Sequence, residues 1–475
     1  MWLWILIVAW ISGWCCIPHL LLLNKRPTAT LAWLWALILF PVFGPALYLM
    51  IGSEKIKRLR MKRRQDFRET GTASSTKSRA SAKSHPKRNQ PEPSPHLLFQ
   101  SLASITQLPI STAKNLRILR KAPAFYESLK KDIKAATETI HIETYIWRDD
   151  EVGKEFLDLL TDAARRGVTV KVLIDELGSL TLKEQYFRPL IAAGGQFSWC
   201  HTLSPFRSRY AFNLRNHRKL QIIDGQSAYV GGMNFGREYL GLDASDGDWG
   251  DIQLRVEGAV VEILQEIFAE DWFFGSGKDD IRSETTAKRD PEETTSVQVL
   301  RGGPDEEDHP MLRVNMALMA QATSRLWIGT GYFVPGEIMQ TALQVAASRG
   351  VDVRLLISQK SEHPLLVRAG RSYYDALLRQ GIRIYEYSKG IEHSKYIIID
   401  DDLVSVGSSN LDERSMRLNF ELSLLMHCQK TNHELAQIFK TTIENSREID
   451  RKTFSKRPYW QKLTESTLRP LSPVL

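Results

Sequence analysis

The sequence contains the same short pattern of reactive residues twice. The spacing H-x-K-x-x-x-x-D occurs at His217, Lys219 and Asp224 and again at His393, Lys395 and Asp400. Because side chains at i and i+2 of a strand project from one face, each histidine and its lysine can contact the same phosphate. An exchange at a phosphodiester needs a nucleophile, a proton donor for the leaving alkoxide and positive charge around the non-bridging oxygens. Two such clusters predict one shared site for this exchange.

The repeat extends beyond the two clusters. Residues 136–146 and 166–174 read as two strands with a helix between them, and residues 322–333 and 349–357 repeat this order. In each half a further helix follows, and then a hairpin that bears the cluster. This order favours an α/β fold in which two tandem mixed-sheet lobes, each with helices packed on its sheet, share one active site.

Residues near each cluster indicate how the site is built. Asp224 and Asp400, which end the clusters, are counted with the catalytic residues, and because each lies at a turn we also expect it to brace its hairpin. After the returning strands come Asn234 and Asn410, whose amides can donate to phosphate oxygens. Further along lie Asp251 and Glu421, the candidates for the carboxylates that fix the tautomer of a reacting histidine.

Composition limits the other kinds of chemistry. The four cysteines show no C-x-x-C or Cys/His ligand spacing, so neither a disulfide framework nor a metal site is expected. The sequence has no P-loop, and no cofactor is expected. The formal charge of +8 is uneven, because residues 1–97 hold 15 Lys/Arg and 4 Asp/Glu. The remainder is slightly acidic, which argues against nucleic acid as a partner, since such enzymes spread basic charge over the body that grips phosphates.

The N-terminal residues 1–53 are expected to form a two-helix transmembrane hairpin. Residues 1–23 and about 28–51 are apolar stretches, each long enough to cross a bilayer. A cleaved signal peptide is the alternative for the first stretch, but no basic region precedes it and a second span follows at once. Seven positive charges at residues 55–64, against two between the spans, predict that both ends of the hairpin lie in the cytoplasm.

The chain thus divides into five segments. They are the hairpin at 1–53, a basic juxtamembrane run and flexible tether at 54–110, lobe 1 at 111–276, a charged, Thr-rich linker at 277–297, and lobe 2 at 298–475. Within the tether, residues 97–105 carry an apolar helical stripe that either lies on the membrane or packs on its own domain. The basic run is either a topology signal alone or also a contact for anionic headgroups.

The two clusters resemble the paired motifs of the phospholipase D superfamily, and the whole chain resembles the bacterial cardiolipin synthases within it. The likeness covers the double apolar span, the basic run and residues 216–219, 231–234, 332–335 and 407–415. Gly331 and Arg417 depart from the family pattern. Because both adjoin the site without replacing a reacting group, they bear on the choice of acceptor more than on activity.

The resemblance implies a metal-independent, two-step phosphatidyl transfer that converts two phosphatidylglycerols into cardiolipin and glycerol through a phosphohistidine. By analogy with the superfamily, His217 would attack and His393 would act as acid and base, although the clusters themselves are symmetric on this point. The lysines and asparagines of both halves would stabilise the equatorial oxygens. Because both lipids keep their acyl chains in the bilayer, the site is expected to open at the inner membrane of a bacterial cell.

Four arginines are candidates for holding the anionic headgroups, with a solvated surface as the alternative: Arg207, Arg209, Arg215 and Arg218. Three other functions stay open, of which a phospholipase D hydrolase is the first, since it uses the same residues with water as acceptor. The others are a membrane-tethered nuclease and a non-catalytic membrane scaffold. The sequence does not determine whether phosphatidylethanolamine is a second substrate, or whether the chain forms a homo-oligomer.

Overall fold

The computed structural model describes residues 2–23, 27–48, 95–200, 214–241, 247–281, 295–306 and 308–471. The helices in these residues are α1 (Trp2–Leu22), α2 (Pro27–Leu39), α3 (Phe43–Leu47), α4 (Pro95–Thr106), α5 (Lys121–Ala135), α6 (Glu151–Arg165), α7 (Arg188–Ala192), α8 (Val260–Ser276), α9 (Pro310–Gln321), α10 (Gly336–Ser348), α11 (Pro364–Arg371), α12 (Tyr374–Arg379), α13 (Glu413–Arg417), α14 (Gln429–Glu444), α15 (Arg451–Ser455) and α16 (Tyr459–Leu468).

The strands in the same residues are β1 (Ile110–Arg120), β2 (Thr139–Thr144), β3 (Thr169–Ile174), β4 (Gln196–Trp199), β5 (Arg215–Asn216), β6 (Leu220–Ile223), β7 (Ser227–Gly231), β8 (Asp248–Gly250), β9 (Ile252–Glu257), β10 (Thr295–Gly302), β11 (Arg325–Thr330), β12 (Phe333–Val334), β13 (Asp352–Ser358), β14 (Arg383–Tyr387), β15 (Gly390–Glu392), β16 (Tyr396–Ile399), β17 (Leu403–Gly407), β18 (Leu411–Asp412), β19 (Asn419–His427) and β20 (Ser446–Glu448).

One mixed sheet runs through both halves of the described chain. The first lobe contributes the strand order β1-β9-β7-β6-β2-β3-β4, and the second repeats it as β10-β19-β17-β16-β11-β13-β14, with β20 added at the edge. β1 and β10 pair antiparallel, with Ile110 opposite Gln298, and so join the two halves. The prediction of two tandem mixed α/β lobes is confirmed, whereas the fusion of their sheets into one was not predicted.

Each lobe combines parallel and antiparallel pairs in the same way. β2 pairs parallel with β3 and antiparallel with β6, and β11 pairs parallel with β13 and antiparallel with β16. A parallel pair needs a long crossover, which α6 and α10 provide. β6 and β16 are buried along their whole length, as expected for central strands with both faces covered.

Three apolar clusters hold the lobes together. One lies within lobe 1 around Phe125 and Trp147, and another lies within lobe 2 around Leu343 and Tyr374. The third contains residues from both lobes, including Leu254 of β9 together with Val404 and Ile398 of the second lobe. Because this cluster is continuous across the joint, the two repeats are fixed relative to each other.

The predicted tether contains structure that belongs to the lobes. α4 places Leu98, Phe99 and Leu102 in the apolar cluster of lobe 2, so the stripe packs on its own domain. β1 begins at Ile110 and β10 at Thr295, slightly before the predicted starts of the lobes. The basic run at 55–64 and most of the predicted linker lie outside the described residues.

At the N-terminus, α1 and α2 contact each other, and Leu20, Leu37 and Tyr48 are buried together. Among the helices that the structure describes, none combines the length and apolar character required to cross a membrane.

Candidate active site

Two short strand pairings between the lobes surround the histidines. β5 of lobe 1 pairs with the start of β19 in lobe 2, and β15 of lobe 2 pairs with β8 of lobe 1. The backbone N–H of His217 donates to the carbonyl of Phe420 at 3.0 Å, and that of His393 donates to the carbonyl of Gly250 at 2.7 Å. The residues that follow these two carbonyls in the chain are Glu421 and Asp251. Each histidine therefore lies beside a predicted orienting carboxylate of the other lobe.

Each imidazole ring is held by a carboxylate from the opposite lobe. Nδ1 of His217 lies 3.1 and 3.0 Å from the two carboxylate oxygens of Glu421, and Nδ1 of His393 lies 2.9 Å from Oδ2 of Asp251. Because an ionised carboxylate only accepts hydrogen bonds, Nδ1 carries the ring hydrogen and Nε2 keeps its lone pair. The structure brings both predicted carboxylates to the histidines, but each one serves the histidine of the other repeat.

Hydrogen bonds fix Glu421 in turn. The hydroxyl of Ser408 donates to its Oε2 at 2.5 Å, and that of Ser415 donates to its Oε1 at 2.8 Å. The amide of Asn419 donates to Oε1 at 3.3 Å. Such outer contacts lock the carboxylate and therefore the ring of His217.

Both cluster lysines are buried beside the backbone of their own histidine. Nζ of Lys219 donates to the carbonyl of His217 at 2.7 Å and lies 5.3 Å from the centre of the Tyr145 ring. Nζ of Lys395 lies 2.7 Å from Nδ1 of His393 and 3.8 Å from Oδ2 of Asp251. Nδ1 of His393 already carries a hydrogen for Asp251, so it cannot accept one from Lys395. The lysine therefore acts on the ring through its charge and not through a hydrogen bond to Nδ1.

Burial sets the acid–base properties of these groups. Burial, reinforced by the neighbouring lysines, lowers the pKa of His217 well below its usual value and that of His393 to about 4. It also lowers the pKa of Lys219 to about 7 and raises that of Glu421 to about 7. Both histidines are thus neutral at neutral pH, while Lys219 and Glu421 both change charge near pH 7.

A cavity of about 310 Å³ opens between the lobes at this point. The predicted site residues that line it are His217, His393, Asn234, Asn410 and Arg215. The two clusters therefore contribute to one shared cavity, as the repeat indicated. The lysines and the orienting carboxylates lie behind this surface rather than in it.

The two asparagines occupy equivalent positions. Oδ1 of Asn234 accepts from the backbone N–H of Ile146 at 3.2 Å, and Oδ1 of Asn410 accepts from that of Tyr332 at 3.4 Å. Both oxygens thereby fix the backbone just after β2 and β11, which are equivalent strands of the two repeats. The amide NH₂ is then the group that each asparagine can present to an anion, and for Asn234 one of its two hydrogens is donated to Tyr239 at 3.0 Å.

The structure does not bring the cluster aspartates into the cavity. Asp224 accepts from the backbone N–H groups of residues 137–139 at 2.8–2.9 Å, and Asp400 accepts from those of residues 323–325 at 2.8–3.1 Å. Both adopt positive φ, 51° and 46°, at the turns after β6 and β16. Both aspartates brace the hairpins, as expected. Neither lies with the reacting groups in the cavity, which corrects their assignment as catalytic residues.

The prediction for Arg218 is also corrected. Arg218 is buried, forms an ion pair with Asp271 and donates to the carbonyl of Glu421 at 3.3 Å, away from the cavity lining. It stands between His217 and Lys219 on extended chain and so points the opposite way. Of the four headgroup candidates, Arg215 lines the cavity, while Arg207 and Arg209 lie outside the described residues.

Sequence reasoning missed several cavity residues. Tyr145 and Tyr332 meet the two histidines edge to face, with ring centres 5.2 Å from His217 and 5.6 Å from His393. The aligned repeats contained this signal, because Tyr145 follows β2 directly and Tyr332 follows the equivalent strand β11 after one residue. Further lining residues are Trp249, Glu362, His363, Asp412 and Arg414.

Comparisons with known proteins agree with this geometry. The family described as "Cardiolipin synthase, PLD-like domain" matches residues 129–272 and 316–443. Cardiolipin synthase 2 of Bacillus anthracis is 37% identical over 459 residues, covering 95% of this chain and 88% of that protein. Major cardiolipin synthase ClsA of Bacillus subtilis is 33% identical over 465 residues, covering 96% of each.

Among solved structures, the phosphatidylserine synthase of Haemophilus influenzae Rd KW20 superposes with a TM-score of 0.60 at 17% identity. It covers 80% of this chain and 100% of that one, which shows a shared fold. The family match over both repeats, and the relatives that align along nearly the whole chain, lead to one conclusion: the chain belongs to the cardiolipin synthase family with its phospholipase D-like domains.

Proposed function

We propose that the protein is a cardiolipin synthase that transfers the phosphatidyl group of one phosphatidylglycerol to the terminal hydroxyl of another and releases glycerol. One observation carries this proposal: two histidines line a single cavity, and Nδ1 of each is held by a carboxylate from the opposite lobe. The alignment with cardiolipin synthases along 95% of the chain supports the choice of lipid substrates.

In the first step, Nε2 of His217 attacks the phosphorus of a phosphatidylglycerol. A P–N bond forms, the P–O bond to the glycerol headgroup breaks, and His393 gives its proton to the departing alkoxide. His393 has a pKa of about 4 in the empty site. The charge of the incoming phosphodiester next to the ring favours the protonated form, so His393 takes up a proton from solvent as the substrate binds and then acts as the general acid.

In the second step, the terminal hydroxyl of another phosphatidylglycerol gives its proton to His393 and its oxygen attacks the phosphorus. The P–N bond breaks, which restores neutral His217. One phosphodiester bond is exchanged for another, so the reaction needs neither a nucleotide nor a redox partner.

Positive charge around the cavity stabilises the transition state. Arg215 and Arg414 line the cavity, and Lys219 and Lys395 lie buried just behind the histidines. Because this region is largely shielded from water, each well-placed donor is worth about 3 kcal/mol in barrier height. Asn234 and Asn410 contribute amide hydrogens to the same oxygens.

The hairpin at residues 1–53 anchors the enzyme in a bacterial inner membrane, with the catalytic lobes on the cytoplasmic side. The apolar stretches and the seven positive charges at residues 55–64 support this arrangement. Moving a diacyl lipid into water costs about 0.8 kcal/mol per CH₂ group, so the cavity must receive both lipids from the bilayer.

The test is to incubate the purified full-length protein with phosphatidylglycerol vesicles in EDTA. We expect equal amounts of cardiolipin and free glycerol, and neither product from a His217→Ala/His393→Ala variant that retains its thermal unfolding profile. Phosphatidic acid in place of cardiolipin would identify a hydrolase instead. Dependence on an added divalent metal would contradict the proposed mechanism.

A further inference from the structure

The last helix exposes large apolar side chains that no part of the described chain covers. Tyr459 and Trp460 are 71% and 72% exposed, and Leu463 is 37% exposed. These positions are i, i+1 and i+4 of α16, so they share one side of the helix. Adjacent exposed aromatic residues on an ordered helix indicate a contact with something outside the lobes.

The C-terminal segment that carries these side chains is basic. Residues 451–471 contain six Lys/Arg and one acidic residue, Glu465. Glu465 is buried, and its carboxylate pairs with Arg457 at 2.8 Å, so it does not offset the charge at the surface. Arg451, Lys452 and Lys456 are exposed. We call this surface, formed by Tyr459, Trp460, Leu463, Lys452 and Lys456, the C-terminal face.

The helix that carries the C-terminal face packs through its buried side against a helix that reaches the cavity. α16 packs against α11, and Glu465 lies 3.4 Å from Arg371 at the end of that helix. At the other end of α11, His363 and Leu366 line the cavity, and Leu365 is 50% exposed. One helix, α11, therefore connects the helix of the C-terminal face to the cavity lining.

The positive charge of the C-terminal face indicates which kind of partner can bind it. A second copy in a symmetric contact would bring two basic faces together, which is unfavourable. The chain's own residues 49–94 carry 13 Lys/Arg against 4 Asp/Glu, so they do not complement it either. Tyr and Trp beside lysines are typical of segments that lie at a lipid–water boundary, where anionic headgroups attract the lysines.

We infer that the C-terminal face is a docking surface for an anionic lipid bilayer. It presses Tyr459 and Trp460 into the headgroup region and attaches lobe 2 to the membrane. This contact is separate from the N-terminal hairpin and does not depend on the reaction at the histidines.

A fluorophore at position 460 tests the inference. In the full-length protein with Cys15→Ser, Cys16→Ser and Cys428→Ser, the Trp460→Cys variant is labelled with NBD, while Cys200 is buried. Vesicles contain phosphatidylcholine alone or an equal mixture with phosphatidylserine. We expect the NBD emission to rise roughly twofold or more with the anionic vesicles, and brominated acyl chains to quench it.

Matched variants give the controls. The same label at Ile191, which is 46% exposed on α7 of lobe 1, should not respond. Lys452→Glu/Lys456→Glu should abolish the response at position 460, whereas Lys131→Glu/Lys134→Glu, an equal change of charge on lobe 1, should not. No emission change, an equal change with neutral vesicles, or a change that follows protein concentration without lipid would each overturn the inference. Because no lipid turnover is measured, the result is independent of the proposed reaction.

Discussion

At the scale of single residues, burial controls the chemistry. The same loss of water lowers the pKa of both histidines and of Lys219 and raises that of Glu421, because burial penalises whichever form is charged. The site therefore holds two neutral imidazoles, with a lysine and a glutamate that both change charge near pH 7. An anionic substrate is the natural complement to this arrangement.

These shifts predict a bell-shaped dependence of kcat on pH, centred near 7. Below about 7 Glu421 gains a proton and no longer accepts from Nδ1 of His217, and above about 7 Lys219 loses its charge. Because kcat reports the substrate complex, in which His393 already carries its proton, both limbs belong to Lys219 and Glu421. Lys219→Arg, which cannot lose its charge in this range, should remove the alkaline limb. A wild-type profile that is flat from pH 5.5 to 8.5 would contradict this assignment.

The division of labour between the histidines predicts different effects on the covalent intermediate. His217→Ala should abolish the phosphohistidine that is trapped by denaturing the enzyme at neutral to alkaline pH, where the P–N bond survives, whereas His393→Ala should still form it, more slowly. Both substitutions should reduce turnover by about 10³-fold or more, since one removes the nucleophile and the other the proton transfer. Labelled phosphatidylglycerol and peptide mapping give the measurement. A phosphohistidine at position 393 would reverse the two roles.

At the scale of secondary structure elements, the hairpins are built to hold the histidines still. The histidine and lysine of each cluster lie just before β6 or β16. At the other end of these strands, Asp224 and Asp400 accept hydrogen bonds from the loops that enter β2 and β11. Burial alone would raise the pKa of Asp400, but the backbone donors Arg325 and Ser324 outweigh it and hold the pKa below its usual value. A motif residue can thus recur in both halves for a structural reason.

Asp224→Ala and Asp400→Ala are therefore predicted to act on stability. Each should lower the free energy of unfolding by about 1–3 kcal/mol, because backbone donors lose their acceptor, while turnover of the folded protein stays within about threefold of wild type. Urea unfolding and activity at low temperature separate the two effects.

The contribution of Asp400 should also depend on pH. With its folded pKa below that of the unfolded chain, the stabilisation by Asp400 is complete above the unfolded pKa and is lost as pH falls through the folded pKa.

For the two alanine variants, a loss of turnover as large as that of the histidine variants, at unchanged stability, would place these aspartates in the chemistry instead.

At the scale of the whole molecule, neither lobe contains a complete site. The histidine of each repeat depends on the carboxylate of the other, and β5 with β19 and β8 with β15 form the contacts that bring them together. The sheet that continues through β1 and β10 fixes the distance between the halves. The active unit is therefore the complete pair of lobes.

This exchange predicts which substitution disturbs which ring. Glu421→Gln should change the tautomer of His217 and leave that of His393 unchanged, and Asp251→Asn should do the reverse. Each should lower turnover by about 10³- to 10⁴-fold, since the wrong tautomer blocks the lone pair on Nε2. Nitrogen NMR shifts of ¹⁵N-histidine report the tautomers. Pairing within each repeat would give the opposite pattern.

The sequence by itself determined what depends on local spacing. The period of two along an extended chain places His217 with Lys219 and His393 with Lys395, and the order of apolar segments predicts two mixed-sheet lobes. The same local reasoning, applied to Arg218, would have turned it away from the site. The family resemblance likewise depends on residues that are close together in the chain.

Only the tertiary structure decided what depends on contacts between distant segments. It paired His217 with Glu421 and His393 with Asp251, merged two sheets into one, and packed α4 on lobe 2 instead of leaving it in a tether. It also created the burial that shifts the pKa values of the site. Spacing along a chain specifies which side of a strand a residue faces, whereas partners and burial arise only when remote strands pack together.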